Sequence, residues 1–138
     1  MIPKVAPFAV AAKLQGAFYG PGYGHWGTWA LEEITKICKD NNLLTILDHK
    51  ASDGEATAEA YANGYLGEVD LWDFSDQKII KAPSFDFDAL TVMPQIGEAC
   101  IDPFIKEVKN RGKGIFVVTK TSFNPNSAVE QLITKEGL

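Results

Sequence analysis

Apolar and polar positions along this chain alternate between runs of strand length and segments of helical period. Phe8 to Lys13 is an apolar run closed by a lysine and predicts a strand, and the tract before it, broken by Pro3 and Pro7, reads as part of the same extended segment. Gly20-Pro21-Gly22-Tyr23-Gly24 is a loop by its breakers. From Trp26 to Asn41, Ala30, Ile34, Ile37 and Cys38 recur at helical spacing. Thr28 stands as a candidate cap for that helix, and Glu32, Glu33, Lys36, Lys39 and Asp40 supply its charged face. Leu43 to Asp48 is a second strand, rich in branched apolar residues. Ser52 and Glu55 have the spacing of a capping box, so a helix is expected from about Asp53 to Tyr65. Glu68 to Asp86 is a long, Asp-rich connection that fits a loop, a small hairpin or an oligomer contact. Phe87–Val92 and Gly114–Thr119 are further strands. Asp102–Asn110 is a short helix opened by Pro103, and Ser127–Lys135 begins a last one.

Strict alternation of strand and helix implies a parallel sheet with right-handed crossovers. No G-x-G-x-x-G follows the first strand, so the dinucleotide-binding unit is excluded. About four βα units make roughly half of a (β/α)8 barrel. The expected fold is therefore α/β, a partial TIM barrel, with residues 1–138 forming one partial-barrel domain. Helices should cover one face of the sheet and leave the other as an unfilled barrel interior. Such a face, with two free sheet edges, predicts a dimer or a complementing partner chain.

Charge concentrates at one strand-to-helix junction, Asp48-His49-Lys50-Ala51-Ser52-Asp53, which in α/β proteins is where chemistry is placed. Side chains two apart on a strand share a face. Ile46, Asp48 and Lys50 therefore lie together, and Leu47 and His49 lie on the opposite face. Taken singly, each charge has an ordinary explanation. An Asp in a first helical turn suits the macrodipole, and a Lys after a strand is commonly just solvated. His25 reads as a loop histidine.

Composition changes the picture mainly by exclusion. With 138 residues, 46% hydrophobic and 22% charged, the chain is long enough for one ordinary globular core. A net charge of −5 argues against nucleic acid as a partner. Cys38 and Cys100 form neither a disulfide framework nor a metal site, which points to a reducing cytoplasm. No apolar run of membrane-spanning length and no signal peptide stand in the sequence, so no membrane partner is expected.

The junction also carries a resemblance. Asp48-x-Lys50-x-x-Asp53 followed by Thr57, within D-H-K-A-S-D-G-E-A-T-A-E-A-Y-A, resembles the active-site motif of orotidine 5′-phosphate decarboxylases. Ala51-Ser52 and Gly54-Glu55 stand where that family has Arg-Gly and Ile-Gly. Three more stretches fall in the family's order. Lys13-Leu14-Gln15-Gly16-Ala17-Phe18-Tyr19 is similar to its K-P-Q/N-x-A-F-F/Y. Asp88-Ala89-Leu90-Thr91-Val92-Met93-Pro94 is similar to its D-A-x-T-V-N-P, with Met93 in place of Asn. Lys120-Thr121-Ser122-Phe123-Asn124-Pro125 is similar to its K-T-S-N-P, with Phe123 inserted. The resemblance runs from about Val10 to Leu132 and corresponds to strands two to five of the family's barrel.

The resemblance implies removal of the C6 carboxylate of orotidine monophosphate to give UMP, in pyrimidine biosynthesis, with no metal and no cofactor. Asp48 would face the departing carboxylate, and Lys50 would stabilise the carbanion and protonate C6. Lys13 would keep Asp48 charged, and Asp53 would reach across a homodimer into the neighbouring site. Gln15 is implied near the ribose, Thr57 beside the substrate, and Thr121 and Ser122 at the pyrimidine ring. A metal-dependent sugar-acid-phosphate decarboxylase shares D-x-K-x-x-D and is one rival. A non-catalytic fragment, or half of a split barrel, is the other. The family's phosphate loop with its arginine has no counterpart here, so the isolated chain is expected to have little or no activity.

Overall fold

A computed structural model of the chain describes residues 1–121. The expected last helix, Ser127–Lys135, and Ser122 lie outside the described residues. The N-terminal tract is the first correction. Ile2–Val5 forms a short helix, α1, and Ala6–Phe8 a 3-10 turn, each with proline at its opening positions. Proline is pre-set for such a start, having no N–H to leave unsatisfied. The first strand, β1, is displaced accordingly to Ala11–Gln15, with Lys13 at its middle rather than its end.

Helix α2, Gly20–Asp40, absorbs the expected loop and is kinked at Gly24, which sits at φ +55°. Thr28 does not cap it; its hydroxyl donates back to the Gly24 carbonyl at 3.3 Å. Gly27 is required by contact, because a Cβ there would lie 1.5 Å from the Tyr19 carbonyl oxygen. Strand β2 is Leu44–Ala51 and helix α3 is Glu55–Tyr65. The capping box does not form. Gly54 is the N-cap, no side-chain oxygen caps the helix, and the helix opens at Glu55 rather than near Asp53. Instead the Asp53 carboxylate accepts from the Gly54 N–H at 2.7 Å.

The long connection is a hairpin. Strands β3, Glu68–Asp73, and β4, Lys78–Pro83, pair antiparallel apart from the main sheet. Asp73 holds its turn by accepting from the Ser75 N–H at 2.8 Å. Strand β5 is Ala89–Val92, helix α4 is Asp102–Arg111, and strand β6 is Gly114–Val117. Gly112 ends α4 in the left-handed conformation, where glycine carries no steric cost.

The main sheet runs β1-β2-β5-β6, with every pairing parallel. This is the predicted chain-order sheet of a partial barrel. The core lies between it and the helices: Leu31, Ala58, Ala62, Leu66 and Phe104 pack against Leu47, Leu90 and Val92. Phe87 and Phe104 are fully buried, each contributing about 1.5–3 kcal/mol in transfer terms. By alternation, Leu44, Ile46, Ala89, Thr91, Gly114 and Phe116 face the other way. That face is less apolar than expected, since Lys13, Gln15, Asp48 and Thr91 share it and Val92 and Val117 do not. Leu44 and Phe116 on it are 57% and 54% exposed.

The amino end of the sheet is tied by ion pairs. Asp86 takes Lys113 at 2.6 Å and also pairs with Lys39, joining the end of α2 to the segments entering β5 and β6. Asp88 accepts from the Thr45 backbone N–H at 2.7 Å and from its hydroxyl at 2.8 Å, fixing β2 against β5.

Candidate active site

The charge cluster forms at the carboxyl end of β2. Parallel pairing sets Gln15 beside Asp48 and Lys13 beside Ile46, so β1 delivers Lys13 to the same face. Lys13 Nζ donates to Asp48 Oδ2 at 3.1 Å, and Lys50 Nζ donates to Oδ1 at 2.6 Å. Thr91 Oγ1 donates to Oδ1 as well, at 3.1 Å. The Asp48 side chain is 11% exposed, against 36% for Lys50 and 60% for Lys13. A nearly buried carboxylate is thus bracketed by two ammonium groups that still reach solvent.

The Lys50 hydrogen bond, with help from Lys13 and Thr91, holds the Asp48 carboxyl below its ordinary range; burial opposes this and is outweighed. Asp48 is therefore an anion at neutral pH. His49 points the other way, as alternation predicts, with its ring centroid 5.2 Å from that of Tyr61 and 5.1 Å from that of Tyr65. Burial lowers its pKa, so the imidazole is neutral near pH 7.

Of the residues singled out from the sequence, Lys13, Asp48 and Lys50 come together, with Gln15 next to Asp48 in register. Asp53 does not join them; it is exposed and turned onto its own loop. Thr57 is exposed on α3. Thr121 ends the described segment beyond β6. Thr91 joins Lys13, Asp48 and Lys50 without having been singled out from the sequence, because its contacts arise from the register of β5 on β2. Among the described residues, no three or more His, Cys, Asp or Glu side chains form a group suited to a metal ion. The sole arginine, Arg111, is occupied at the end of α4, pairing with Glu68 at 2.7 Å and Glu107 at 3.0 Å.

Fold and site together define a partial (β/α) barrel carrying a Lys-Asp-Lys array at the carboxyl end of its strands, where barrel enzymes keep their chemistry. Comparison narrows the class: nearly the whole chain is homologous to one part of the orotidine 5′-phosphate decarboxylases. The enzyme of that name from Caldicellulosiruptor saccharolyticus is 35% identical over 136 residues, covering 99% of this chain and 42% of the relative. Its namesake from Deinococcus radiodurans is 36% identical over 121 residues, covering 88% of this chain and 38% of the relative. A crystal structure from Streptomyces avermitilis, provisionally given the same name, superposes with a TM-score of 0.77 at 28% identity. It is matched over 99% of this chain and 43% of its own. The chain thus spans about two fifths of the length of the curated relatives it matches. No protein-family model matches it.

Proposed function

We propose that this chain supplies the reacting charges of an orotidine 5′-phosphate decarboxylase, converting orotidine monophosphate to UMP without metal or cofactor. The observation that carries the proposal is Asp48 held between Lys13 and Lys50 at 3.1 and 2.6 Å on the open barrel face. The reaction breaks the bond between C6 and the carboxylate. Carbon dioxide leaves, the electron pair stays on C6, and a proton must then arrive there. Asp48, an anion kept charged by its neighbours, would lie against the substrate carboxylate and disfavour it more than the transition state. Lys50 Nζ would face the carbanion, stabilise it and give it a proton, regaining one from solvent. Charge fixed in advance in this way is commonly the largest catalytic contribution.

The remaining roles follow the family likeness. Gln15 and Lys13 would reach the ribose, Thr121 and Ser122 the pyrimidine, and Thr57 the substrate's edge. The exposed Asp53 would enter a neighbouring site in a homodimer. Arg111 cannot serve the phosphate, because its two glutamates hold it at a helix end. Two free, buried cysteines fit a cytoplasmic setting.

The test is to assay orotidine monophosphate turnover by the chain mixed with a segment of a relative supplying the rest of the barrel, with Lys50 intact and as Lys50→Ala. Turnover that needs Lys50 is the expected result. Equal turnover by Lys50→Ala would remove the proposed role. Neither binding nor turnover in the mixture would instead favour the non-catalytic reading.

A further inference from the structure

The register of β2 on β5 breaks at the charge array. Leu47 pairs with Leu90 and Ala51 with Val92, so Asp48, His49 and Lys50 lie opposite the single residue Thr91. A hydroxyl has one proton and two lone pairs. Thr91, 8% exposed, commits all of them here. Its oxygen accepts from the His49 N–H at 2.9 Å and from the Lys50 N–H at 2.8 Å. Its proton goes to Asp48 Oδ1 at 3.1 Å. One hydroxyl thus touches every residue of the irregular stretch.

Lys50 itself stands at φ +54°. A lysine within a strand adopts that conformation at a cost, so its surroundings must fix it there. Bulges beside active sites commonly serve to re-aim a side chain, and here the re-aimed group is the ammonium that reaches Asp48. Alternation alone would place Asp48 and Lys50 on one face but would leave the lysine free to choose among many rotamers.

We propose that Thr91 is a positioning residue for the array: its hydroxyl locks the β2 bulge, and through the bulge it sets the direction of Lys50 and the orientation of Asp48. The inference rests on the decarboxylase reading for its consequence in catalysis, but its geometry is testable without turnover. Thr91→Val keeps the shape and removes both donor and acceptor, whereas Thr91→Ser keeps the hydroxyl.

The experiment is NMR on the isotopically labelled whole chain. In the wild type the His49 and Lys50 amides should exchange with solvent about 10-fold or more slowly than in Thr91→Val, the scale of one lost hydrogen bond. In Thr91→Val the Asp48 carboxyl should titrate at higher pH, since a donor to its charged form is gone. The Lys50 HN–Hα coupling should also move away from its left-handed value. Thr91→Ser should restore all three, which a purely packing role would not achieve. A folded Thr91→Val with unchanged Asp48 titration and Lys50 coupling would overturn the proposal. Should Thr91→Val fail to fold, unprotected His49 and Lys50 amides in the wild type, or a Thr91→Ser variant lacking the wild-type titration, would overturn it equally. A silent decarboxylase assay leaves these readouts intact, so the two ideas fail separately.

Discussion

Replacing Asp86 by Asn tests how the amino end of the sheet is held together. Asp86 sits at φ +57°, a conformation Asn tolerates as well as any non-glycine residue, so the substitution removes charge without adding backbone strain. What it strips is the partner of Lys113, whose side chain is only 12% exposed, and of Lys39, which is 33% exposed. A hydrogen bond to a charged group contributes about 1.5–3 kcal/mol. The Asp86 side chain is 37% exposed, so solvent screening brings each pair toward about 1 kcal/mol. Leaving the Lys113 ammonium nearly buried without its carboxylate adds about 1 kcal/mol. The expected loss is therefore about 2–3 kcal/mol in urea unfolding near pH 7. Burial raises the Asp86 carboxyl, but Lys113 and Lys39 outweigh it and hold the pKa below the ordinary 3.8. A carboxylate depressed in the folded state stabilises fully above its unfolded value and ceases to do so as pH falls through the folded one. The difference between the two proteins should thus be complete at neutral pH and shrink once pH falls below the ordinary carboxylate value of 3.8 and on through the lowered folded one. A deficit under about 0.5 kcal/mol at pH 7, or one unchanged in acid, would refute the reasoning.

Two further outcomes are expected. Asp48→Asn should abolish turnover in the completed barrel yet change stability by only about 1 kcal/mol or less, since both lysines reach solvent and the carboxylate's burial cost disappears with its charge. A loss above about 3 kcal/mol in chemical unfolding would make Asp48 a structural residue instead. The chain alone should self-associate in light scattering, because Leu44 and Phe116 lie exposed on the open face and β1 and β6 end the described sheet without partners. A clean monomer at working concentration would contradict this.

The sequence carried the sheet further than it carried the site. Parallel order was legible because Leu43–Asp48, Phe87–Val92 and Gly114–Thr119 are short, branched and separated by helical periods, and the β3–β4 hairpin that interrupts the alternation pairs with itself and leaves the main sheet intact. The first strand was misplaced by about three residues because Pro3 and Pro7, read as breakers of an extended tract, in fact open helical turns. The Ser52–Glu55 box failed although local spacing allows it: Gly54 takes the N-cap position, and the Asp53 carboxylate accepts from its N–H instead. The pairing of Asp48 with Lys50 was legible from face alternation; Lys13 was tied to them only through the family resemblance, and its place at the middle of β1 was not anticipated. Thr91 was not legible, because its role arises from a register shift between two strands, and one sequence read alone contains no register.

That shift also bears on how the site came to hold a lysine at Lys50 at all. Four non-glycine residues in the described chain have positive φ: Asn42, Lys50, Gln77 and Asp86. Three stand in connections between elements, where Asn, Asp and turn residues visit the left-handed region at little cost. Lys50 alone lies within a strand and carries a long side chain. Glycine would hold the same backbone angle without strain, and a stability argument would place glycine there. It would also delete the ammonium 2.6 Å from Asp48. The strained position is therefore also one that supplies a charge to the array, and it is this coincidence that supports the functional reading proposed above.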